Sequence, residues 1–109
     1  MAIDISNGRW SATAAGTNAG ATATKAGIAG KTYIVDHISC HGDGDATLQL
    51  RSGSDVLAEW YIDASNNKDA NIIVNGYWII EPGAAASAVL SASPSASDCQ
   101  VNITGFSLP

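Results

Sequence analysis

Residues 46–62, ATLQLRSGSDVLAEWYI, establish the fold class of this chain. In the first half, apolar Ala46, Leu48 and Leu50 alternate with polar residues, and this period of two predicts a strand with one buried face. Ser, Gly and Ser at 52–54 then break the pattern. A second apolar row with the same period follows and consists of Val56, Ala58, Trp60 and Ile62. Two alternating runs joined by a short Gly-containing connection predict an antiparallel hairpin, and therefore an all-β domain.

Further strands are predicted on both sides of this hairpin. They cover residues 9–13, 21–25, 31–40, 70–75, 77–81, 84–92 and 99–103. Clusters of Gly, Pro, Asn, Asp and Ser separate most of them, as is typical of turns between strands, and we find no convincing helix. About eight strands at this spacing indicate an antiparallel β-sandwich or barrel, with residues 1–109 as one domain.

The strand at 31–40 is predicted to be apolar on both faces. Tyr33 and Val35 share one face, and the other carries Ile34, Ile38 and Cys40. A strand of this kind is either central in its sheet or covered by a partner.

A change of pattern is predicted at Gly105. Phe106 and Leu108 are apolar at positions where the preceding alternation places polar residues. Because glycine in a strand often marks a β-bulge, we expect a bulge that points these two side chains inward.

The chain is rich in apolar residues and poor in charge. Of its 109 residues, 46% are hydrophobic and only 14% are charged, with a net charge of -5. So few charges suggest that another molecule covers part of the surface. The five Lys and Arg residues are scattered along the sequence, so the basic footprint of a nucleic-acid-binding protein is absent and we expect no nucleic-acid partner.

The N-terminal region is made mostly of small residues. Residues 14–30 are almost wholly Ala, Gly and Thr, and such a run cannot bury enough apolar area to hold itself. We therefore expect residues 1–30 to form an extended arm against a sheet or a neighbouring subunit, with a short strand at 21–25. Neither a signal peptide nor an apolar run of bilayer length is visible, so we expect a soluble cytoplasmic product with no membrane partner.

No residue pattern predicts catalysis, a metal or a cofactor. His37 and His41 share a strand face but lie about 13 Å apart, too far to hold one ion. Asp43 and Asp45 resemble a fragment of a calcium loop, but the other EF-hand ligands are missing and a solvated turn is the better interpretation. The serines lack the nucleophile-elbow setting, and no phosphate-binding loop occurs. We expect that the protein is not an enzyme.

The two cysteines, Cys40 and Cys99, do not form a CxxC pair. Each is predicted to be a buried free thiol or a structural residue. A disulfide between them requires that the strands bring them together, which the sequence leaves open.

Several short segments, in their order along the chain, resemble small tailed-phage virion proteins. The segments are GRWSAT at 8–13, ATKAGIAGK at 23–31, LQLRSGSDVLAEWYI at 48–62, a Pro-Gly turn before an Ala/Ser-rich strand, and VNITGFSLP at 101–109. The resemblance implies a jelly-roll-like β-sandwich that forms a homo-oligomer, often a trimer, and decorates or cements the outer surface of a phage capsid. Its implied partners are the major capsid protein and other copies of itself. The implied location is the virion surface, after synthesis in the host cytoplasm.

The expected oligomer or capsid interface is an apolar surface that becomes covered on assembly. Its candidate residues are Tyr33, Val35, Tyr61, Ile73 and Trp10.

The alternative function is a carbohydrate- or receptor-binding module of a fibre. In that case Trp60, Tyr61, Tyr77 and Trp78 form an aromatic platform, with Trp60 or Trp78 stacking on sugar rings. Since both tryptophans lie within apolar strand patterns, core or subunit-interface positions are the better interpretation for them.

Overall fold

Eight β-strands in two antiparallel sheets make up the described part of the chain. The computed structural model describes residues 8–16, 20–42, 45–62, 70–92 and 99–108. The strands are β1 (Arg9–Gly16), β2 (Ala21–Lys25), β3 (Thr32–Gly42), β4 (Ala46–Ser52), β5 (Asp55–Ile62), β6 (Ala70–Ile79), β7 (Ala86–Ala92) and β8 (Cys99–Leu108). The first sheet has the order β1-β8-β3-β6, and the second has the order β2-β7-β4-β5. The predicted all-β sandwich is confirmed.

The strand pairs are nested like the two arms of one long hairpin. β4 pairs with β5, β3 with β6, β2 with β7 and β1 with β8. Successive pairs belong alternately to the second and the first sheet, so the long hairpin is rolled up into two layers. This arrangement is a jelly roll. The hairpin predicted from residues 46–62 is its innermost pair, and Gly53 supplies the positive φ of 60° at its turn.

The core lies between the two sheets and is built from the predicted alternating rows. The second sheet contributes Ala23, Leu48, Leu50, Ala86, Ala88 and Leu90. The first sheet contributes Tyr33, Val35, Ile38, Cys40, Cys99, Val101 and Ile103. Large side chains on one layer face small alanines on the other, which is how two sheets interdigitate without voids.

β3 differs from its prediction because it contains a bulge at Asp36. Its register with β8 shifts between Val35 and His37, which leaves Asp36 as an extra residue. One extra residue exchanges the two faces of a strand, so apolar residues before and after the bulge reach the core. Both predicted faces thus contribute to one buried row, which consists of Tyr33, Val35, Ile38 and Cys40, while Ile34 remains on the outer face.

The bulge predicted at Gly105 is wrong. β8 keeps its alternation beyond this residue and has no register shift against β1. Gly105 stays in the inward row, where a Cβ would collide with the Ile34 carbonyl and lie 2.7 Å from the Trp10 indole. Glycine is therefore required here by space, and Phe106 and Leu108 are not turned inward, Leu108 being 41% exposed.

Two further irregularities change the predicted strand pattern. β6 is one strand through Gly76 rather than two, and this glycine leaves room for the Trp78 indole, whose Cη2 lies 2.6 Å from where a Cβ would stand. In β5 the register with β4 leaves Leu57 as an extra residue. Val56 is consequently placed on the outer face rather than in the inward row and is 48% exposed.

The expected N-terminal arm is wrong over residues 9–25. β1 and β2 are integral strands, paired with β8 and β7 in different sheets. Backbone pairing along both strands supplies the hydrogen bonds that their small side chains cannot. The strand predicted at Ala21–Lys25 is confirmed, with Thr22 and Thr24 on its exposed face. Residues 1–7, also expected in the arm, lie outside the described residues.

Candidate interaction surface

The five predicted contact residues are not on one surface. Tyr33 and Val35 are 1% and 0% exposed, so their predicted place on an exposed face is wrong, because the β3 bulge puts them in the core row. Trp10 is half-buried and packs edge-on against the Tyr33 ring with 5.4 Å between centroids. Tyr61 and Ile73 are 78% and 69% exposed, and they lie on different sheets.

The outer face of β6 carries a row of exposed apolar side chains. Ile73, Tyr77 and Ile79, which we call the β6 strip, are 69%, 67% and 64% exposed and share one face of the strand. The apolar surface extends across β3, because the Tyr77 ring lies 5.9 Å from the Phe106 ring and Ile34 pairs with both Ile79 and Phe106.

The outer face of β5 carries a second row. Val56, Leu57 and Tyr61, which we call the β5 strip, are all exposed. The bulge at Leu57 brings the first two to this face. Glu59 lies beside the strip, and its hydrogen bond with the Tyr61 hydroxyl raises the pKa of Tyr61 above its usual value.

The two strips flank the same side of the sandwich. β5 ends the second sheet and β6 ends the first, and the indoles of Trp60 and Trp78 meet between them edge-on with 6.0 Å between centroids. Of the eight large apolar side chains that the described residues expose, six belong to the two strips. The opposite side, formed by β1 and β2, exposes Ser11, Thr13, Thr22 and Thr24. The molecule therefore has an apolar side and a polar side.

Four residues of the two strips were not predicted as contact residues. Tyr77 and Ile79 lie two and three steps of period two after Ile73, a signal that is hidden when Gly76 is taken as the end of a strand. Val56 and Leu57 are consecutive, and only the bulge in β5 places both outside. No local pattern predicts that bulge.

The rest of the outer face of the first sheet is polar and hydrogen-bonded. Arg9 forms an ion pair with Asp36 at 3.0 Å, and Thr104 donates a hydrogen bond to the same carboxylate at 3.1 Å. Asn102 accepts a hydrogen bond from the Thr13 hydroxyl at 2.7 Å. These contacts separate a polar area over β1 and β8 from the β6 strip.

The aromatic residues do not form one sugar platform. Trp60 and Trp78 are half-buried, and both pack against the core between the sheets. Tyr61 and Tyr77 are exposed on the outer faces of different sheets. The four rings therefore do not share a plane on which one sugar ring could stack.

Other candidate ligands are placed as follows. His37 Nδ1 lies 2.9 Å from Asn75 Oδ1, and His41 is exposed further along β3. Asp43 lies outside the described residues. Within the described ranges, no three His, Cys, Asp or Glu side chains are grouped so that they could hold a metal ion. None of the described segments forms a helix of the length and apolarity that a bilayer span requires.

The two cysteines are buried free thiols. Cys99 donates a hydrogen bond to the Gly16 carbonyl at 3.3 Å. Burial raises the pKa of the Cys40 thiol to about 11, partly offset by a backbone hydrogen bond from Ile72. A thiol that stays protonated at neutral pH is a poor nucleophile, so Cys40 has a packing role.

Comparisons with known proteins return one structural likeness. No family model matches the chain, and no curated protein is similar to it in sequence. Among solved structures, it is similar to one described as the cryo-EM structure of the giant freshwater prawn Macrobrachium rosenbergii extra small virus (XSV) VLP. The likeness covers 89% of this chain and 77% of that chain, with 10% sequence identity and a TM-score of 0.36.

Proposed function

We propose that this chain is a structural virion protein that decorates or cements the outer surface of a tailed-phage capsid as a homo-oligomer. The observation that carries the proposal is the apolar side of the sandwich with its two strips. Exposed apolar patches rimmed by polar residues mark contacts with other proteins. Jelly rolls occur in viral capsid domains and also in lectins, so the fold agrees with this role but does not select it.

The proposed mechanism is burial of surface and involves no chemical step. The partners are the major capsid protein and other copies of the chain, and the resemblance of the sequence implies three copies in the oligomer. A protein that binds the assembled shell, but not its dissociated subunits, stabilises the shell by mass action. A net charge of -5 also suits a protein that should not bind packaged DNA.

Co-sedimentation tests the proposed function. Purified protein is mixed with capsid shells of the source phage that lack it, the shells are pelleted, and the bound protein is quantified. We expect saturable binding at a fixed ratio to the major capsid protein. Shells that already carry the protein are the control and should take up none.

The absence of saturable binding would contradict the virion role. The alternative is then the carbohydrate- or receptor-binding module, which a glycan array with tryptophan-fluorescence readout examines. Because Trp60 and Trp78 are half-buried and in mutual contact, glycans should leave the emission unchanged if the proposed function is right.

A further inference from the structure

The β5 and β6 strips face away from each other. Each strip lies on the outer face of its own sheet, and the two sheets are packed through their inner faces. A single flat partner surface can therefore cover one strip but not both. Two different contacts are needed to remove both strips from water.

The two strips also differ in charge. β6 contains no charged residue over its ten positions, whereas β5 carries Asp55 and Glu59. A two-fold contact between two β5 strips would bring these carboxylates close to their own copies, and like charges opposite each other are destabilising. A contact between β5 of one copy and β6 of another places the carboxylates against an uncharged surface.

We propose that copies of this chain associate head to tail, with the β6 strip of each copy packed on the β5 strip of the next. A contact between two different surfaces is heterologous, and it forms a closed ring when the rotation between copies closes. A ring of three buries both strips in every copy. This proposal deepens the homo-oligomer part of the proposed function by naming the two surfaces and the type of symmetry.

The mass of the protein in solution is the first test, with no capsid present. Sedimentation or light scattering at micromolar concentration should show three copies for the parent chain. Tyr77→Asp on the β6 strip and Tyr61→Asp on the β5 strip should each give single chains. Both side chains are more than half exposed, so circular dichroism should show the parent fold. If Tyr77→Asp unfolds because it loses the Phe106 contact, Ile73→Asp is the second variant of this strip.

A mixture of the two variants distinguishes a head-to-tail contact from a two-fold contact. The first variant keeps an intact β5 strip and the second an intact β6 strip, so together they should form a complex with one chain of each and no larger ring. In a two-fold β6 contact, Tyr61→Asp alone would remain a dimer and the mixture would form no mixed complex. Either of those results, or a parent chain that is monomeric, would overturn the proposal.

A matched control lies on the polar side of the sandwich. Thr22→Asp introduces the same charge at an exposed strand position of β2 and should leave the mass of three copies unchanged. A loss of the oligomer in this control would show that added charge alone dissociates it, which contradicts the assigned surfaces. Because these masses are measured without shells, their outcome is separate from that of the co-sedimentation test. A protein that forms the ring but does not bind shells would contradict only the virion role.

Discussion

Cys40 is a buried acid whose ionisation the fold opposes. Burial raises the pKa of its thiol from 9.0 to about 11. Below pH 9 the thiol is protonated in both the folded and the unfolded chain, and its full contribution to stability is present. Between pH 9 and pH 11 the unfolded chain loses the proton first, so the free energy of unfolding falls as the pH rises. At about 1.4 kcal/mol per pKa unit, we expect this group to remove about 2–3 kcal/mol.

Urea denaturation at pH 8, 9.5 and 11 under reducing conditions measures this loss. Cys40→Ala lacks the thiol and should be less stable than the parent at pH 8, because a small cavity replaces the sulfur. Its stability should fall less steeply with pH, so the gap between the two proteins narrows toward pH 11. Parallel pH profiles would show that the Cys40 thiol ionises equally well in the folded chain.

Individual contact residues were predicted with mixed success, and the physical reason is local. Tyr61 and Ile73 were expected on the surface and are exposed. Tyr33 and Val35 were expected there too, but the extra residue Asp36 turns their row into the core. Side-chain spacing alone cannot predict such a bulge, since it depends on what β8 and β6 offer on either side of β3.

Gly105 shows how one element limits the packing of two others. A Cβ at this position would meet the Ile34 carbonyl of β3 and the Trp10 indole of β1, and the backbone carbonyl cannot yield as a flexible side chain could. We expect Gly105→Ala to lower the free energy of unfolding by about 3 kcal/mol, at the upper end for overpacking. Gly8→Ala is the matched control, because the nearest atom to its Cβ would be 3.6 Å away.

Thermal and urea denaturation of both variants measure this difference. The control should change the free energy of unfolding by about 0.5 kcal/mol or less, as expected at a surface position without steric conflict. Equal stability of the two variants would mean that β1 and β3 move apart without cost, and that Gly105 is not fixed by space.

Strands with clean alternation were predictable, and strands with irregular pairing were not. β4, β7 and the first half of β8 show the expected buried rows, because one polar or apolar choice per residue is enough to encode them. β5 and β6 gave a hairpin strand and two fragments, respectively, but their outer faces depend on the bulge at Leu57 and on the room that Gly76 leaves for Trp78. The candidate surface follows from those two irregularities, so it became visible only in three dimensions.

The nested strand pairs of the whole molecule also predict how it folds. The innermost pair, β4–β5, closes a tight turn, whereas β1–β8 brings Arg9 opposite Phe106 from nearly opposite ends of the chain. The entropy cost of closing a loop rises with its length, so the inner pairs should form first and the outer pair last. Proteins dominated by such distant pairings fold in milliseconds to seconds, and we expect a refolding rate in this range from stopped-flow tryptophan fluorescence.

Two substitutions in the core can test this order of events. Leu50 in β4 and Val101 in β8 are both fully buried, so replacing either with Ala should destabilise the fold measurably. If the β4–β5 hairpin is formed in the transition state, Leu50→Ala should mainly slow refolding, and Val101→Ala should mainly speed unfolding. The reverse assignment of the two rates would mean that the outer pair forms first. In that case the two ends of the described chain, rather than its central hairpin, would nucleate the jelly roll.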